Sequence, residues 1–361
     1  MERPCEDKTT EVAEGLVEKV RKKCGGLSRG FVMLPHLSII IVNWKSAGFL
    51  RPCLDSIYAE REDFILEVIV IDNASYDGCD TMLASQYPQV RFIQSPINLG
   101  FARANNLAFK ESCAETILFL NPDTEIVGPA LSTMHRLLWE SPDAGGIGCT
   151  LLNSDGTTQT SCIQAFPTIL NQVLDAEVLL HYPPMISLMG TQPLFEQRET
   201  PIPVEVVSGA CLMVKRHVFE SAGFFSTDYF MYLEDTDLCC RIRLAGFLVY
   251  YTGAASVVHH GGGSSKQKER SYFSDIVMCE SMSRYLRKFR GGFYGNCYRI
   301  AMCGVAICRV ILMVSLLIVI PRKSARELLR ISLGKWVKIF RWSLGGERWA
   351  RRLTPELPLE Y

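Results

Sequence analysis

Several signatures are missing from this chain, and each absence closes off a class of protein. No Gly-x-Gly-x-x-Gly follows any predicted strand, which argues against a dinucleotide-binding fold. No internal repeat or low-complexity tract occurs, so nothing points to a solenoid or an array. Residues 1–30 are charged and hold no continuous apolar core, so no secretory leader is expected there. Net charge is zero, but it is unevenly spread. From Arg287 to Tyr361, Lys and Arg outnumber Asp and Glu by fifteen to four, so the preceding residues carry the compensating negative excess. A basic tail of this kind suits an anionic surface. Fourteen cysteines are present, yet the adjacent pair Cys239-Cys240 suits neither a Cys-x-x-Cys zinc site nor a redox motif. Cys53, Cys211, Cys303 and Cys308 sit in apolar runs, where a free thiol acts as a small hydrophobe. A reducing, cytosolic compartment is expected.

What is present is a globular composition of 361 residues, 48% hydrophobic and 21% charged, enough for one large domain and an appendage. The most informative stretch is Ile117 to Ile126, ILFLNPDTEI. A short apolar run closed by turn formers reads as a buried strand, and Pro122 ends it for want of a backbone donor. Side chains alternate along an extended chain, so Asn121, Asp123 and Glu125 are expected on one side. Oxygen ligands at the carboxyl end of a buried strand suit a hard divalent cation, Mg²⁺ or Mn²⁺, whose other ligands are substrate phosphates. Taken alone, Asn-Pro-Asp is equally an ordinary turn after a strand.

Around this stretch, strands and helices alternate. Leu37–Val42, Glu67–Ile71, Val90–Ile93 and Ile117–Leu120 read as strands, with helices over Phe49–Ile57, Thr81–Tyr87 and Leu99–Glu111. This pattern predicts an α/β fold with a mostly parallel central sheet and helices on both faces. Polar clusters at the strand ends should meet on one rim. Asp72 in DNAS (72–75) offers a carboxylate to the ring N3–H of a uracil or thymine, with Asn43, Trp44, Asn73 and Ser75 beside it. The same residues also fit an Asx-turn or helix cap. Asn98, Gly100 and Arg103 of NLGFARANN (98–106) combine a helix start with an Arg, a combination suited to a diphosphate, or to a plain loop-to-helix junction.

Farther along, Leu131–Trp139 reads as helix and Gly145–Leu152 as strand, and Pro183–Pro203 reads only as loop. Val204–Lys215 is strand-like, with Gly209 and Ala210 small enough for close approach of a ligand. Glu234, Asp235 and Asp237 open a helix that Gly246 closes, and Asp237 is spaced to pair with Arg241. Acidic residues at a helix start commonly complement its dipole. With Tyr229, Phe230 and Tyr232 just before them, they also resemble a site that desolvates a base beside a sugar ring. Leu248–Tyr251 and Ala255–His260 read as strands, the second delivering His259-His260 into a glycine loop, where structural and metal or phosphate roles are both open. Ala301–Ile320 is apolar apart from Arg309, and basic residues and tryptophans follow. Arg309 at mid-bilayer would cost roughly 2.5–3.5 kcal/mol, so peripheral or shallow attachment is expected rather than a crossing. The expected organisation is an extension over 1–36, a domain over 37–290 and a membrane-associating helical region over 291–361.

In order, IIIVNW (39–44), VIVIDNAS (68–75), NLGFARANN (98–106), LNPDTEI (120–126), SGACLMVKR (208–216), EDTDLCCR (234–241) and VVHHGGGSS (257–265) resemble family 2 of the glycosyltransferases. They are most similar to its bacterial rhamnosyltransferase and galactofuranosyltransferase-like branch. The resemblance implies a GT-A fold and an inverting transfer from a dTDP- or UDP-sugar to a lipid-linked or polysaccharide acceptor at the cytoplasmic face of a membrane. It involves no nucleic acid. It assigns Asp72 to the base, Asp123 to the last position of the metal-binding DxD motif, Asp235 to the general base, and His259 to the metal site. Asn121 stands where that motif has its first aspartate, a departure that bears on metal affinity. Glu234, Tyr232, Gly209 and Ala210 are expected around the sugar. Two other readings stay open: a non-catalytic sugar-nucleotide or glycan-binding subunit, and a sugar-phosphate nucleotidyltransferase. The second would need a Gly-rich basic loop after the first strand, where Asn43-Trp44-Lys45-Ser46 stands instead.

Overall fold

A computed structural model describes residues 35–60, 64–173, 200–261 and 272–353. Strands β1 (Leu37–Asn43), β2 (Leu66–Asn73), β3 (Arg91–Ser95) and β4 (Thr116–Leu120) run parallel in the order β3-β2-β1-β4. Helices α1 (Ala47–Tyr58), α2 (Cys79–Gln86) and α3 (Gly100–Phe109) link them. The apolar runs are continuous rather than alternating because both faces are covered: Ile39, Ile40, Ile41, Ile117, Leu118 and Phe119 are fully buried.

β5 (Thr124–Val127), α4 (Ala130–Glu140) and β6 (Ala144–Leu152) follow, then the short β7 (Ile163–Gln164) and α5 (Ile169–Val173). Next come β8 (Ile202–Val204), β9 (Val206–Val207), β10 (Cys211–Lys215), α6 (Arg216–Ser221), α7 (Glu234–Leu244) and β11 (Leu248–His259). The main sheet reads β3-β2-β1-β4-β10-β6-β11-β5, with β8 also on β11, while β7 and β9 form a separate pair. β10 is antiparallel to both β4 and β6, and β5 and β8 are antiparallel to β11, so the sheet is mostly parallel with antiparallel insertions. Strand order departs in opposite directions from β1, a switch point of the kind beyond whose carboxyl ends open α/β sheets commonly bind ligands.

Two expected elements come out differently. The expected strand over 204–215 is three pieces, because the chain turns through Ser208, Gly209 and Ala210 before β10. The two strands expected over 248–260 are one, β11, with a register irregularity between Thr252 and Ser256. The expected loop over 183–203 falls mostly outside the described residues, as do the extension before residue 35 and the glycines after Gly261.

Helices α8 (Phe273–Arg290), α9 (Gly292–Val319), α10 (Lys323–Ser343) and α11 (Arg348–Arg351) build a second apolar cluster from Ile276, Leu286, Tyr298, Ala306, Ile339 and Trp342. Tyr229 and Leu233, from the stretch before α7, belong to the same cluster. The expected boundary at 290/291 therefore falls inside a packed unit. α9 is long and apolar enough to cross a membrane, with mean hydropathy 2.6 and 11% of its most apolar window buried. Of the described cysteines, eleven are free thiols, but Cys113 is disulfide-bonded, contrary to the fully reduced set expected from the sequence.

Candidate active site

The end of β4 and the end of β11 meet at Asn121, Asp123 and His259. His259 Nε2 lies 3.5 Å from Asp123 Oδ1 and 3.4 Å from Asn121 Nδ2. β5 pairs antiparallel with the last residues of β11, so Thr124 lies opposite His259 and Glu125 opposite Val258. Consecutive residues of an extended strand point to opposite sides. His260 accordingly faces Glu125 Oε1 at 2.7 Å and Ser154 Oγ at 2.8 Å. Glu125 thus leaves the group expected for Asn121, Asp123 and Glu125: two of the three face His259, and the third pairs with His260.

Gln159 grips His259 twice. Its Oε1 is 3.0 Å from His259 Nδ1, and its Nε2 donates to the His259 carbonyl at 2.6 Å. A proton on Nδ1 satisfies the first contact and leaves the Nε2 lone pair facing Asp123. This is how metal-ligating histidines are usually oriented. An imidazole nitrogen, a carboxylate and an amide suit a divalent cation bound with substrate oxygens. Gln159 carried no sequence signal, since its role depends on a contact a hundred residues away.

The second part of the site is bonded to the first through the backbone. Asn121 N–H donates to the Ala210 carbonyl at 3.0 Å, and Gly209 N–H donates to Asp235 Oδ2 at 2.9 Å. Gly209 and Ala210 were expected to admit a ligand. Instead Gly209 admits Asp235: a Cβ there would lie 3.1 Å from Asp235 Cβ and 3.3 Å from its Oδ2. Asp235 Oδ1 also accepts from Thr236 N–H at 2.7 Å. Burial raises the Asp235 pKa, and these N–H groups only partly oppose it.

The three acidic residues of α7 take three roles. Asp237 is fully buried and structural, accepting from Arg241 Nε and from Tyr229 Oη at 2.9 Å, with Lys288 Nζ at 2.8 Å. Glu234 is buried with Oε2 unpartnered. Desolvation first, then the charge of Asp235, pushes its pKa up to about 8. Asp235, half-buried, is left as the carboxylate at the rim. Just upstream, Tyr232 and Leu233 both adopt left-handed conformations, with φ of 71° and 69°.

The third part is the rim beyond β1 and β2. Asp72 is fully buried. Its Oδ1 accepts from Asn43 Nδ2 at 3.0 Å and from Ser75 Oγ. Its Oδ2 accepts from the Ser75 and Tyr76 N–H groups and, at 2.8 Å, from Gln94 Nε2. Burial alone would raise its pKa, but these donors bring it below the usual carboxylate value. Both oxygens accept hydrogen bonds, from the Ser75 and Tyr76 turn and from Asn43 and Gln94 on the neighbouring strands.

Asn43 Nδ2 also lies within hydrogen-bonding distance of Ser75 Oγ, Asp77 and Cys79, so its two N–H donors sit among Asp72, Asp77 and Cys79. Ligand atoms of these last three lie within 4.8 Å of one another, so they too form an acidic cluster of metal-ligating type. Trp44 is exposed on the same rim, with Lys45 Nζ 5.2 Å from its ring.

Asn73 ties this rim to the next loop: its Oδ1 accepts from Leu99 N–H at 2.7 Å, and its Nδ2 donates to Asn98 Oδ1 at 3.0 Å. Asn98 Oδ1 in turn accepts from Gly100 N–H at 2.9 Å. Gly100 is left-handed, and a Cβ there would lie 2.5 Å from the Phe230 carbonyl oxygen. Arg103 occupies the first turn of α3. The rim and the Asn98 loop are thus hydrogen-bonded to each other, and the loop touches the segment before Glu234 at Phe230.

Comparison with known proteins gives the family and the fold. The sequence profile of glycosyl transferase family 2 matches residues 38–223. N-acetylglucosaminyl-diphospho-decaprenol L-rhamnosyltransferase of Mycobacterium tuberculosis is 28% identical over 238 residues, 62% of this chain and 76% of that protein. Rhamnosyltransferase WbbL of Escherichia coli is 25% identical over 265 residues, 70% of this chain and 93% of that protein. Among solved structures, the mannosyltransferase PcManGT of Pyrobaculum calidifontis, in complex with GDP-Man and Mn²⁺, aligns with TM-score 0.52 and 15% identity. That alignment covers 93% of this chain and 96% of that one, a likeness of fold. The chain belongs to glycosyl transferase family 2 and is a glycosyltransferase of the GT-A fold.

Proposed function

We propose that this enzyme is an inverting transferase that moves a sugar, L-rhamnose in the first instance, from a dTDP- or UDP-sugar to a lipid-linked glycan during cell-surface polysaccharide synthesis. One observation carries the reading: the Asn121–Asp123–His259 corner and Asp235 are joined through the adjacent residues Ala210 and Gly209. Inverting transfer needs a place for the departing diphosphate and a single base near the sugar, unlike the two-carboxylate arrangement of glycosidases. The rhamnosyltransferase names of the relatives, one of them specifying a diphospho-decaprenol-linked acceptor, support the donor and acceptor classes.

The nucleotide would lie along the rim of Asn43, Trp44, the Asp72–Ser75 turn and Asn98–Arg103. There Arg103, in the first turn of α3, would meet the diphosphate, since the Gly100 and Phe101 N–H groups of that turn are taken by Asn98 and Phe230. Asp123 and His259, with Asn121, would hold a Mg²⁺ or Mn²⁺ ion. When bound, the ion neutralises charge that grows on the leaving diphosphate. Asp235 takes the proton of the acceptor hydroxyl as that oxygen attacks the anomeric carbon. Burial raises the Asp235 pKa, the direction that makes a carboxylate a stronger base. Glu234 and Tyr232 flank the sugar.

We also place the enzyme at the cytoplasmic face of a membrane. On α9, Phe293, Ile300, Ile311 and Ile318 are 84%, 72%, 61% and 82% exposed. Arg322, Lys323, Arg326 and Arg330 are exposed at the start of α10. Arg309 lies 5.5 Å from the Trp336 ring, on the side of α9 that packs against α10. An apolar stripe beside a basic row suits an interfacial helix pair.

The test is a panel of dTDP-, UDP- and GDP-sugars with an N-acetylglucosaminyl-diphospho-polyprenol acceptor, read by protection against thermal unfolding and by nucleoside diphosphate release. dTDP-rhamnose should protect the enzyme and be consumed. Pyrophosphate release from dTTP and a sugar phosphate, with no transfer, would overturn the reading.

A further inference from the structure

We propose that α8 frames the active site: Ser281, Arg284 and Lys288 are positioning residues that hold the 226–233 loop, and through it Glu234 and Asp235. The C-terminal helices are on this account required for turnover as well as for attachment. The proposal rests on the transferase reading for its kinetic part alone.

The three residues recur at spacings of three and four, which places them on one helix face. Arg284 donates to the Asp228 carbonyl at 2.6 Å. Ser281 Oγ donates to the Met231 carbonyl at 2.9 Å. Lys288 Nζ reaches Asp228 Oδ2 at 3.0 Å and Asp237 Oδ2 at 2.8 Å. α8 thus grips the loop at both ends and at α7 itself. Between these grips the chain runs through the left-handed Tyr232 and Leu233 directly into Glu234. Consecutive left-handed non-glycine residues persist only where surroundings fix them. Here Tyr229 and Leu233 are set in the same apolar cluster as Ile276, Leu286 and Trp342.

The loop also meets the donor side. Phe101 N–H donates to the Phe230 carbonyl at 3.3 Å, against Gly100. One loop therefore touches the Asn98–Arg103 segment, the acidic pair and the C-terminal helices.

Arg284 is itself held from behind. Glu280 Oε1 lies 3.6 Å from its Nε, and the Arg351 carbonyl accepts from its Nη2 at 2.9 Å. Glu280 is buried and takes Trp342 Nε1 at 2.8 Å and Arg299 Nη1 at 3.2 Å, so α9 and α10 fix the residue that fixes Arg284.

The experiment uses the full chain in lipid or detergent and compares Arg284→Gln and Arg284→Lys with Met278→Ala, a control at an exposed position of α8. Hydrogen exchange is followed over 226–236, and kcat and donor KM are measured on the donor that the wild type consumes. In Arg284→Gln, exchange over 226–236 should quicken while the main sheet stays protected. kcat should fall roughly tenfold to a hundredfold, the scale expected for a displaced catalytic group, with donor KM changed less than threefold. Arg284→Lys, which keeps the charge and a single donor nitrogen, should recover part of both. Exchange over 226–236 matching the Met278→Ala control would overturn the proposal, and so would an unchanged kcat. If the wild type consumes none of the donors the transferase reading fails, and the exchange measurement still decides this proposal.

Discussion

At the scale of single residues, the site depends on how differently three neighbouring carboxylates are treated. Asp237 is paired on both oxygens, Asp235 takes two backbone N–H groups, and Glu234 Oε2 has none. The Glu234 pKa is pushed from 4.5 to about 8 by desolvation and then by Asp235. The sign of the linkage follows. Between these values the unfolded chain releases the proton first, so stability falls as pH rises from about 4.5 to about 8. Glu234→Gln should therefore melt higher than the wild type at pH 8, by the equivalent of a few kcal/mol, and match it near pH 4. Calorimetry at the two pH values checks this, and an equal difference at both would contradict it.

The types and order of these residues were legible in the sequence, because EDTD at a helix start after three aromatics is a local pattern. Their division of labour was legible only in part: the spacing offered the Asp237–Arg241 pair, while the contacts of Gly209 with Asp235 and of Lys288 with Asp237 come from far along the chain. Asp72 shows the same limit. Its spacing fitted both a turn and a base contact, and the donors Asn43 and Gln94 on the neighbouring strands lie far from it in sequence.

At the scale of elements, the strand–helix alternation through β4 was fully readable, since buried apolar runs and helix periodicity are properties of neighbouring residues. The three-piece segment over 202–215 was not. Its sequence is mostly apolar, interrupted only by Glu205 and Ser208 before Lys215, and the break falls where Gly209 yields space to Asp235 from α7. The same close approach makes Gly209→Ala a test of the element packing. The added Cβ meets Asp235 at 3.1 Å, so α7 must shift by a few tenths of an ångström. Turnover should drop by about tenfold or more, because small displacements of a catalytic group are costly. Steady-state kinetics with melting as the control checks this, and wild-type kcat would show that the contact is irrelevant.

At the scale of the whole molecule, the described residues form two apolar cores, and the segment before α7 runs from Phe225 in the first to Tyr229 and Leu233 in the second. The basic, apolar C-terminal region could be read as membrane-associating from composition. Its second role, completing the core that seats Tyr229 and Leu233, needed the packing of α8 against α9 and α10. Deleting residues 301–361 would remove Trp342 from Glu280 and so disturb the loop as well as any lipid contact. A cleaner test of attachment replaces Arg322, Lys323, Arg326 and Arg330 with Gln, since these are exposed. At roughly 1 kcal/mol for each basic residue near an anionic surface, the variant should largely lose cosedimentation with vesicles containing anionic lipid. Added salt should weaken the wild type in the same direction. Unchanged binding would remove the membrane assignment while leaving the transferase chemistry intact.

The central claim is that Asp123 and Asp235 serve one reaction from two sides. Its most direct measurement pairs Asp235→Asn with Asp123→Ala and records both donor-induced thermal protection and transfer rate. Asp235→Asn should keep donor protection and lose transfer by roughly a hundredfold to ten-thousandfold, the usual worth of a general base. Asp123→Ala should lose the cation-dependent part of donor protection together with turnover. Full transfer by Asp235→Asn, in a protein that still binds donor, would contradict the account.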